Sequence, residues 1–318
     1  MIEQFKKDVD TGLSNCPKSL PSKYFYNKKG DALFEQIMEL PEYYVTRAEH
    51  EIFQQKKQEI LKSLGLKPEV PFELIELGAG NGLKTKELLK ELLLQDCQFD
   101  FIPIDISQNA LDKLEKEINQ HLPSVSIKKK QGDYFNVLAS LQATKRPKIV
   151  LFLGSNIGNM PDAVANTFIN TLGQNLTTID RLILGVDLIK PKTIVLPAYD
   201  DEQGVTKAFN LNLLTRINSE LGGHFDLHNF SHLAEYTEED GIAKSFLVST
   251  TEQLVAIDAL EKSFFFQKGE KIATEISRKY NDAIMCEILN GSGLKIQCKF
   301  SDSQNYFADY ILQKTNRR

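Results

Sequence analysis

The central part of the chain alternates short hydrophobic runs with stretches in which apolar residues recur at helical spacing. Residues 72–77 form a run typical of a buried strand, and residues 83–94 repeat apolar side chains every three or four positions. A second pair follows, with a strand predicted over 99–106 and a helix, N-capped by Ser107, over about 108–121. Strands that alternate with helices predict a mostly parallel sheet with right-handed crossovers, covered on both faces.

Further runs extend this sheet toward the C-terminus. Three of them predict strands over residues 126–130, 149–153 and 182–186. Residues 294–299 and 306–313 then alternate apolar and polar positions around a polar tetrapeptide, which predicts a terminal antiparallel hairpin. The predicted fold class is therefore α/β, a doubly wound sheet that ends in a hairpin.

The flanking segments do not follow this pattern. Residues 1–52 combine helical patterning with a cluster of aromatic side chains, and residues 191–279 mix helices with strand-like stretches. Neither segment alone has an obvious hydrophobic core, so periodicity leaves their place in the fold open.

Composition and charge exclude several classes of protein. The 318 residues are 42% hydrophobic and 25% charged, which is ordinary for a globular protein. A formal net charge of -5 offers no basic surface for nucleic acid, and no apolar run is long enough to span a bilayer. The four cysteines form no C-x-x-C pair and have no histidines at zinc-ligand spacing, so we expect no metal site. The N-terminus lacks the apolar run of a signal peptide, and we expect a cytoplasmic protein.

The clearest chemical signal is the glycine-rich turn at residues 76–82 (ELGAGNG), between the first central strand and its helix. Glycines let the backbone approach a ligand closely, and a turn there lies at the carboxyl edge of the sheet, where α/β proteins bind nucleotides. The spacing G-x-G-x-G, followed by Lys84 instead of a third helix-packing glycine, favours S-adenosylmethionine over a dinucleotide. Asp105, which ends the next strand, suits the ribose hydroxyls of either cofactor, and Asp133 ends a third strand, where methyltransferases hold the adenine amino group.

Beyond this turn, long and uncommon strings occur in order through nearly the whole chain. They are residues 24–27 (YFYN), 40–49 (LPEYYVTRAE), 154–159 (GSNIGN), 185–187 (GVD), 198–201 (AYDD), 204–212 (GVTKAFNLN) and 274–280 (TEISRKY). In these strings the chain resembles the histidine-specific, S-adenosylmethionine-dependent N-methyltransferases of ergothioneine biosynthesis. The resemblance implies a Rossmann-like class I methyltransferase domain interrupted by a discontinuous α+β substrate-binding domain.

The implied domains divide the chain into four segments. The substrate domain comprises residues 1–52 and 191–279, and the methyltransferase domain comprises residues 53–190 and 280–318. This division explains why neither flanking segment has an obvious core by itself.

The resemblance also implies roles for individual residues. The contacts expected for S-adenosylmethionine are Tyr43, Gly78, Lys84, Asp105 and Asp133.

For the amino-acid substrate, Tyr26, Asn159 and Tyr199 resemble the residues that hold the amine and the carboxylate. Tyr26 and Asn159 are the expected catalytic pair, because they would bind the amine and its methylated products. Glu275 and Ser277 resemble the pair that binds the imidazole, since a carboxylate and a hydroxyl can accept from and donate to the two ring nitrogens.

The expected reaction is transfer of methyl groups from S-adenosylmethionine to the α-amine of L-histidine, giving trimethylhistidine and S-adenosylhomocysteine. The chain departs from the family at residues 243–247, where Ser245 aligns with a pocket methionine. Because a smaller, polar wall alters substrate discrimination, another amino acid or an indole-type amine is an alternative substrate. Two remoter alternatives are an NAD-dependent dehydrogenase and a non-catalytic module that retains the cofactor fold. The expected partner is a small molecule, not nucleic acid or a membrane.

Overall fold

The computed structural model describes residues 2–133 and 145–315. The chain forms two compact units, and each is built from two separate segments. Unit 1 comprises Met1–Tyr43 and Lys190–Ser277, and unit 2 comprises Tyr44–Ile189 and Arg278–Arg318. Each unit therefore depends on residues that lie far apart in the sequence.

Helices and strands are numbered here in chain order within the described residues. The helices are α1 (Ile2–Ser14), α2 (Lys28–Glu39), α3 (Tyr44–Leu64), α4 (Leu83–Leu94), α5 (Gln108–His121), α6 (Asp162–Asn175), α7 (Lys192–Val195), α8 (Val205–Leu221) and α9 (Asp282–Leu289). The strands are β1 (Lys18–Ser19), β2 (Phe72–Leu77), β3 (Phe99–Asp105), β4 (Ser126–Ile127), β5 (Lys130–Gln131), β6 (Lys148–Phe152), β7 (Arg181–Asp187), β8 (Phe230–Glu235), β9 (Ile242–Ser249), β10 (Gln253–Ile257), β11 (Lys262–Phe266), β12 (Lys271–Arg278), β13 (Leu294–Ser301) and β14 (Phe307–Lys314). In this part of the chain no helix is long and apolar enough to cross a bilayer.

Unit 2 is organised around an eight-stranded sheet. The strand order is β13-β14-β7-β6-β2-β3-β4, and β5 also pairs with β3. Strands β2 to β7 pair in parallel, whereas β14 pairs antiparallel with both β7 and β13. The prediction of a mostly parallel, doubly wound sheet with a terminal hairpin is confirmed.

Both faces of this sheet are covered, as the continuous hydrophobic runs predict. Every residue of β6 is buried, and all of β7 except Arg181. Phe152 of β6 packs in one core with Phe168 and Leu172 of α6 and Met285 of α9. Burial of each such side chain stabilises the fold by roughly 1.5–3 kcal/mol.

The edge of the sheet beyond β3 differs from the prediction of one strand over residues 126–130. The structure has two short strands, of which β4 pairs with Asp100–Phe101 and β5 with Ile104–Asp105. All four residues of β4 and β5 are exposed or only partly buried, so little hydrophobic burial holds an uninterrupted strand at this edge.

Unit 1 has a core to which both of its segments contribute. Its strands form a four-stranded sheet in the order β1-β12-β9-β8 and a separate pair, β10-β11. Strand β1, from the first segment, lies parallel to β12 from the second. Phe5 and Phe25 share a hydrophobic cluster with Phe209 and Leu213 of α8. The two segments that lack an obvious core separately form one core together.

The first boundary between the units comes before residue 52. Helix α3 belongs entirely to unit 2. The reason lies in its buried side chains: the Tyr44 hydroxyl donates to Asp187 of β7 at 2.8 Å, and Ile52 and Phe53 are fully covered.

Candidate functional site

The glycine-rich turn follows β2 directly in unit 2. Gly78, Gly80 and Gly82 have φ angles of +76°, +53° and +63°, which lie in a region that residues with a Cβ rarely adopt. No described atom lies within 4 Å of the position that a Cβ on Gly80 would take. The backbone of this turn is therefore open to close approach by a ligand.

Asp105 is fixed beside the turn by backbone donors. Its Oδ2 accepts the Gly80 N–H at 2.9 Å, and its Oδ1 accepts the Ser107 N–H at 2.9 Å. A carboxylate accepts hydrogen bonds only, which suits it to the paired hydroxyls of a ribose. The turn and Asp105 together fit an adenosine-containing cofactor such as S-adenosylmethionine.

Asp133 lies two residues beyond β5 and is half-buried. The N–H of the preceding residue, Gly132, donates to the Asp105 carbonyl at 3.0 Å. The Asp105 backbone is thus hydrogen-bonded to the residue that directly precedes Asp133.

Lys84, at the start of α4, has a charged partner within unit 2. Its Nζ forms an ion pair with Glu49 of α3, and the Glu49 side chain is fully buried. Glu49 is the last residue of the string at 40–49, but the sequence alone indicates no role for it.

Glu76, the acidic residue that precedes the first glycine of the turn by two positions, is also fully buried. Its Oε1 accepts from the Thr85 hydroxyl at 2.5 Å, while its Oε2 has no hydrogen-bond partner among the described residues. Burial raises the pKa of Glu76 to about 8, and the carboxylates of Glu49 and Asp105 add to the rise. In the sequence, the burial of Glu76 is indicated by its position near the end of a buried strand.

Asn159 lies after β6 in unit 2, at the end of a 3-10 helix, Asn156–Asn159, and is exposed. The turn before this helix has two positive φ angles, +71° at Gly154 and +56° at Ser155. Ser155 is held in this conformation because its Oγ accepts the Asp187 N–H at 3.0 Å. The segment that carries Asn159 is therefore anchored to the end of β7.

Tyr199 and Ser277 meet in unit 1. The Tyr199 hydroxyl donates to Ser277 Oγ at 2.8 Å, and both residues are buried. The Tyr199 carbonyl lies 2.8 Å from His232 Nε2, and His232 Nδ1 lies 2.8 Å from the Asn210 side-chain nitrogen. Because an amide nitrogen can only donate, Nδ1 of His232 accepts this hydrogen bond. The ring proton is therefore on Nε2, which donates to the Tyr199 carbonyl. Sequence reasoning missed this role of His232, although Asn210 lies in the string 204–212.

Ser245 and Glu275 form a second pair in unit 1, on the adjacent strands β9 and β12. The Ser245 hydroxyl donates to Glu275 Oε2 at 3.2 Å, and Thr274 Oγ1 donates to the Ser245 carbonyl at 2.9 Å. The residue that departs from the family pattern therefore hydrogen-bonds the carboxylate expected to bind the imidazole.

Tyr26 and Tyr43 belong to one aromatic group in unit 1. The ring of Phe34 lies edge-on to both, with centroid distances of 5.8 Å to Tyr26 and 6.2 Å to Tyr43. The main chain at Tyr26 is held by α8, since Arg216 donates to the Tyr26 carbonyl at 3.4 Å.

The expected site residues divide between the units. Unit 1 holds Tyr26, Tyr43, Tyr199, Ser245, Glu275 and Ser277, and unit 2 holds Gly78, Lys84, Asp105, Asp133 and Asn159. Within unit 1, hydrogen bonds join Tyr199 to Ser277 and Ser245 to Glu275.

The raised pKa of Glu76 generates a stability prediction for Glu76→Gln. The folded state holds the proton of the Glu76 carboxyl group more tightly than the unfolded state does. The free energy of unfolding of wild type therefore falls relative to that of the variant as the pH rises from about 5 to about 8. The free energy of unfolding of Glu76→Gln minus that of wild type should grow by roughly 3 kcal/mol over this interval. Urea denaturation at both pH values measures the difference. Glu73→Gln, on the same strand but only half-buried, is the control; an equal change there would contradict the role of burial.

Comparison with known proteins agrees with this geometry. Residues 5–314 match the family described as histidine-specific methyltransferases, S-adenosylmethionine-dependent. Histidine N-alpha-methyltransferase of Mycolicibacterium smegmatis is 37% identical over 293 residues, covering 92% of this chain and 89% of that protein. The protein of the same name from Mycobacterium tuberculosis is 35% identical, covering 91% of this chain and 88% of that protein.

A fungal relative is longer. Ergothioneine biosynthesis protein 1 of Schizosaccharomyces pombe is 28% identical over 97% of this chain, which spans 40% of that protein. The match over residues 5–314 and the identity to full-length relatives lead to one conclusion: this chain belongs to the family of histidine-specific, S-adenosylmethionine-dependent methyltransferases.

Proposed function

We propose that this protein methylates the α-amine of L-histidine with S-adenosylmethionine as methyl donor, producing trimethylhistidine and S-adenosylhomocysteine. The observation that carries this proposal is the match to the histidine-specific family over residues 5–314, with 37% identity to a histidine N-alpha-methyltransferase. The glycine turn, Asp105 and the polar pairs of unit 1 supply chemistry that suits this reaction.

In unit 2, the proposed contacts to S-adenosylmethionine begin with the Gly78–Gly82 turn and Asp105. The open backbone at Gly80 allows close approach, and the Asp105 carboxylate accepts from the ribose. Asp133 is proposed to accept from the adenine amino group. When bound, this cofactor supplies a methyl group on a positively charged sulfur. We assign Lys84 and Tyr43 to the same ligand on the resemblance alone.

In unit 1, the proposed imidazole contacts are Glu275 and Ser277. The Ser245–Glu275 hydrogen bond restricts the carboxylate, and the Tyr199–Ser277 bond restricts the hydroxyl. Restricted side chains lose less conformational freedom when a ligand binds, so these bonds favour recognition of one ring geometry.

The amine is the reacting group. It must lose its proton before it can attack, because only the free lone pair forms the new nitrogen–carbon bond. We propose that Tyr26 and Asn159 hold the amine and that Tyr199 helps to hold the carboxylate. Alignment of the reacting atoms is the main contribution of the protein in such displacements, and it can lower the barrier by as much as about 7–11 kcal/mol.

The function is tested by incubating the purified protein and S-adenosylmethionine with each free amino acid and counting added methyl groups by mass spectrometry. We expect trimethylation of L-histidine and no methylation of Nα-acetyl-L-histidine, whose amine is blocked. Methylation of tryptophan in preference to histidine would contradict the histidine assignment and favour the indole-type alternative. Methylation of the blocked compound would contradict the α-amine assignment.

Replacing Glu275 by alanine should weaken histidine binding by roughly 10- to 100-fold, because a hydrogen bond to a charged acceptor is worth about 1.5–3 kcal/mol. Binding of S-adenosylmethionine should change by less than about threefold. Calorimetric titration with each ligand measures both effects. Glu270→Ala is the matched control, because Glu270 pairs with Lys18 in the same unit. Equal losses for both ligands in Glu275→Ala would remove Glu275 from the imidazole site.

Replacing Asp105 by asparagine should weaken S-adenosylhomocysteine binding by roughly 10- to 100-fold, since the charged acceptor for the ribose is lost. Asp100→Asn, at the other end of β3, is the control because Asp100 pairs with Arg146 and Lys128. Calorimetry with S-adenosylhomocysteine measures the affinity of each variant. An unchanged affinity in Asp105→Asn would rule out the ribose contact.

A further inference from the structure

Unit 2 contains a buried carboxyl cluster that the expected site residues leave unexplained. It consists of Glu49, Lys84, Gly154, Gly185 and Asp309, and is called the Glu49 cluster below. Both oxygens of Glu49 accept the Gly154 N–H, at 2.9 Å each, and Glu49 also pairs with Lys84. Glu49 and Asp309 are both fully buried.

The Glu49 and Asp309 carboxyl groups share the space above one glycine. Asp309 of β14 lies opposite Gly185 of β7 in the sheet register. A Cβ on Gly185 would lie 2.2 Å from Glu49 Oε1 and 2.9 Å from Asp309 Oδ1. Any side chain at this position would therefore displace one or both acids.

Two carboxylates cannot hydrogen-bond each other, because neither has a proton to donate. In the described residues no donor reaches either oxygen of Asp309. Burial and the neighbouring Glu49 carboxylate raise the pKa of Asp309 well above its ordinary value. The raised pKa favours the protonated form of Asp309, which can donate a hydrogen bond to the Glu49 side chain, and Lys84 pairs with the same side chain.

This cluster joins two loops at the carboxyl edge of the sheet. Lys84 is the second residue of α4, immediately after the glycine turn, and Gly154 begins the turn that leads to Asn159. Strands β2 and β6, which end at these two loops, are neighbours in the sheet. Glu49 therefore fixes one loop through a side chain and the other through a backbone N–H.

We propose that Glu49, oriented by the proton-bearing Asp309, is a positioning residue for S-adenosylmethionine that holds the two strand-end loops in the conformation that binds it. This inference rests on the proposed binding of S-adenosylmethionine to unit 2 but not on the identity of the methyl acceptor. A loop that is released spends part of its time in states that do not bind, and the apparent affinity falls in proportion to the competent fraction.

The test compares four variants by calorimetric titration with S-adenosylhomocysteine. Glu49→Gln keeps the shape of the side chain and removes its charge, and we expect about tenfold weaker binding. Asp309→Leu removes the donor to Glu49 and should also weaken binding. Asp309→Asn keeps an N–H donor and should restore affinity to within about threefold of wild type. Asp180→Asn is the structural control, because Asp180 is a buried acid of unit 2 whose carboxylate accepts the backbone N–H groups of Thr177 and Lys148.

Thermal unfolding and hydrogen exchange of the peptide covering residues 150–158 are measured on the same samples. We expect faster exchange in Glu49→Gln and Asp309→Leu, and wild-type exchange in Asp309→Asn. Lower melting temperatures with unchanged affinity in Glu49→Gln, as expected for Asp180→Asn, would reduce the Glu49 cluster to a structural feature. Equal affinities of Asp309→Asn and Asp309→Leu would overturn the role of the Asp309 proton.

These readouts are independent of the methyl acceptor. If wild type binds S-adenosylhomocysteine but does not methylate histidine, the proposed function is wrong. The affinities of the Glu49 and Asp309 variants for S-adenosylhomocysteine still test the positioning role in that case. If wild type methylates histidine and Glu49→Gln binds normally, only the positioning role fails.

Discussion

The organisation of unit 2 depends on one buried ion pair, between Asp187 and Lys279. Their charged atoms are 2.7 Å apart and neither side chain is exposed, while the Tyr44 hydroxyl donates to the same Asp187 oxygen at 2.8 Å. Removal of one partner from such a pair costs about 3–5 kcal/mol, because the other charge is left buried without compensation. Tyr44, Asp187 and Lys279 each lie within two residues of a point where the chain enters or leaves unit 2. The pair and Tyr44 thus join both ends of the first segment to the start of the second.

The same electrostatic requirement applies to four acids that are fully buried in the described part of unit 2: Asp187, Glu49, Glu76 and Asp309. Asp187 and Glu49 are each paired with a lysine. Glu76 and Asp309 have no lysine partner among the described residues, and burial raises the pKa of both, which favours their protonated forms. Each of these four carboxyl groups is therefore either paired with a lysine or has a raised pKa, as the cost of burying an isolated charge demands.

The expected site residues of unit 1 do not face this cost of burying a charge, because they are neutral or half-exposed. Its polar residues are ordered by a chain of neutral hydrogen bonds that runs from the Asn210 amide through His232 to the Tyr199 backbone. The Tyr199 hydroxyl continues to Ser277. The tautomer of His232 fixes the first two of these bonds, and the Tyr199 residue that they hold in place carries the hydroxyl that donates to Ser277.

The parts that the sequence could predict are those set by local pattern. Largely hydrophobic runs identify β2, β3, β6 and β7, since strands buried on both faces are rich in apolar side chains. The start of α3 at a unit boundary could not be predicted, because its helical pattern extends past residue 52 without a break and long-range contacts, such as that of Tyr44 with Asp187, decide which unit it joins. Glu49 is a further case. A glutamate inside a helix is ordinarily exposed, and its burial here depends on Gly154, Gly185 and Asp309, which are more than a hundred residues away in the chain. Residues with such roles are recognised only when the long-range contacts that satisfy their charge are known.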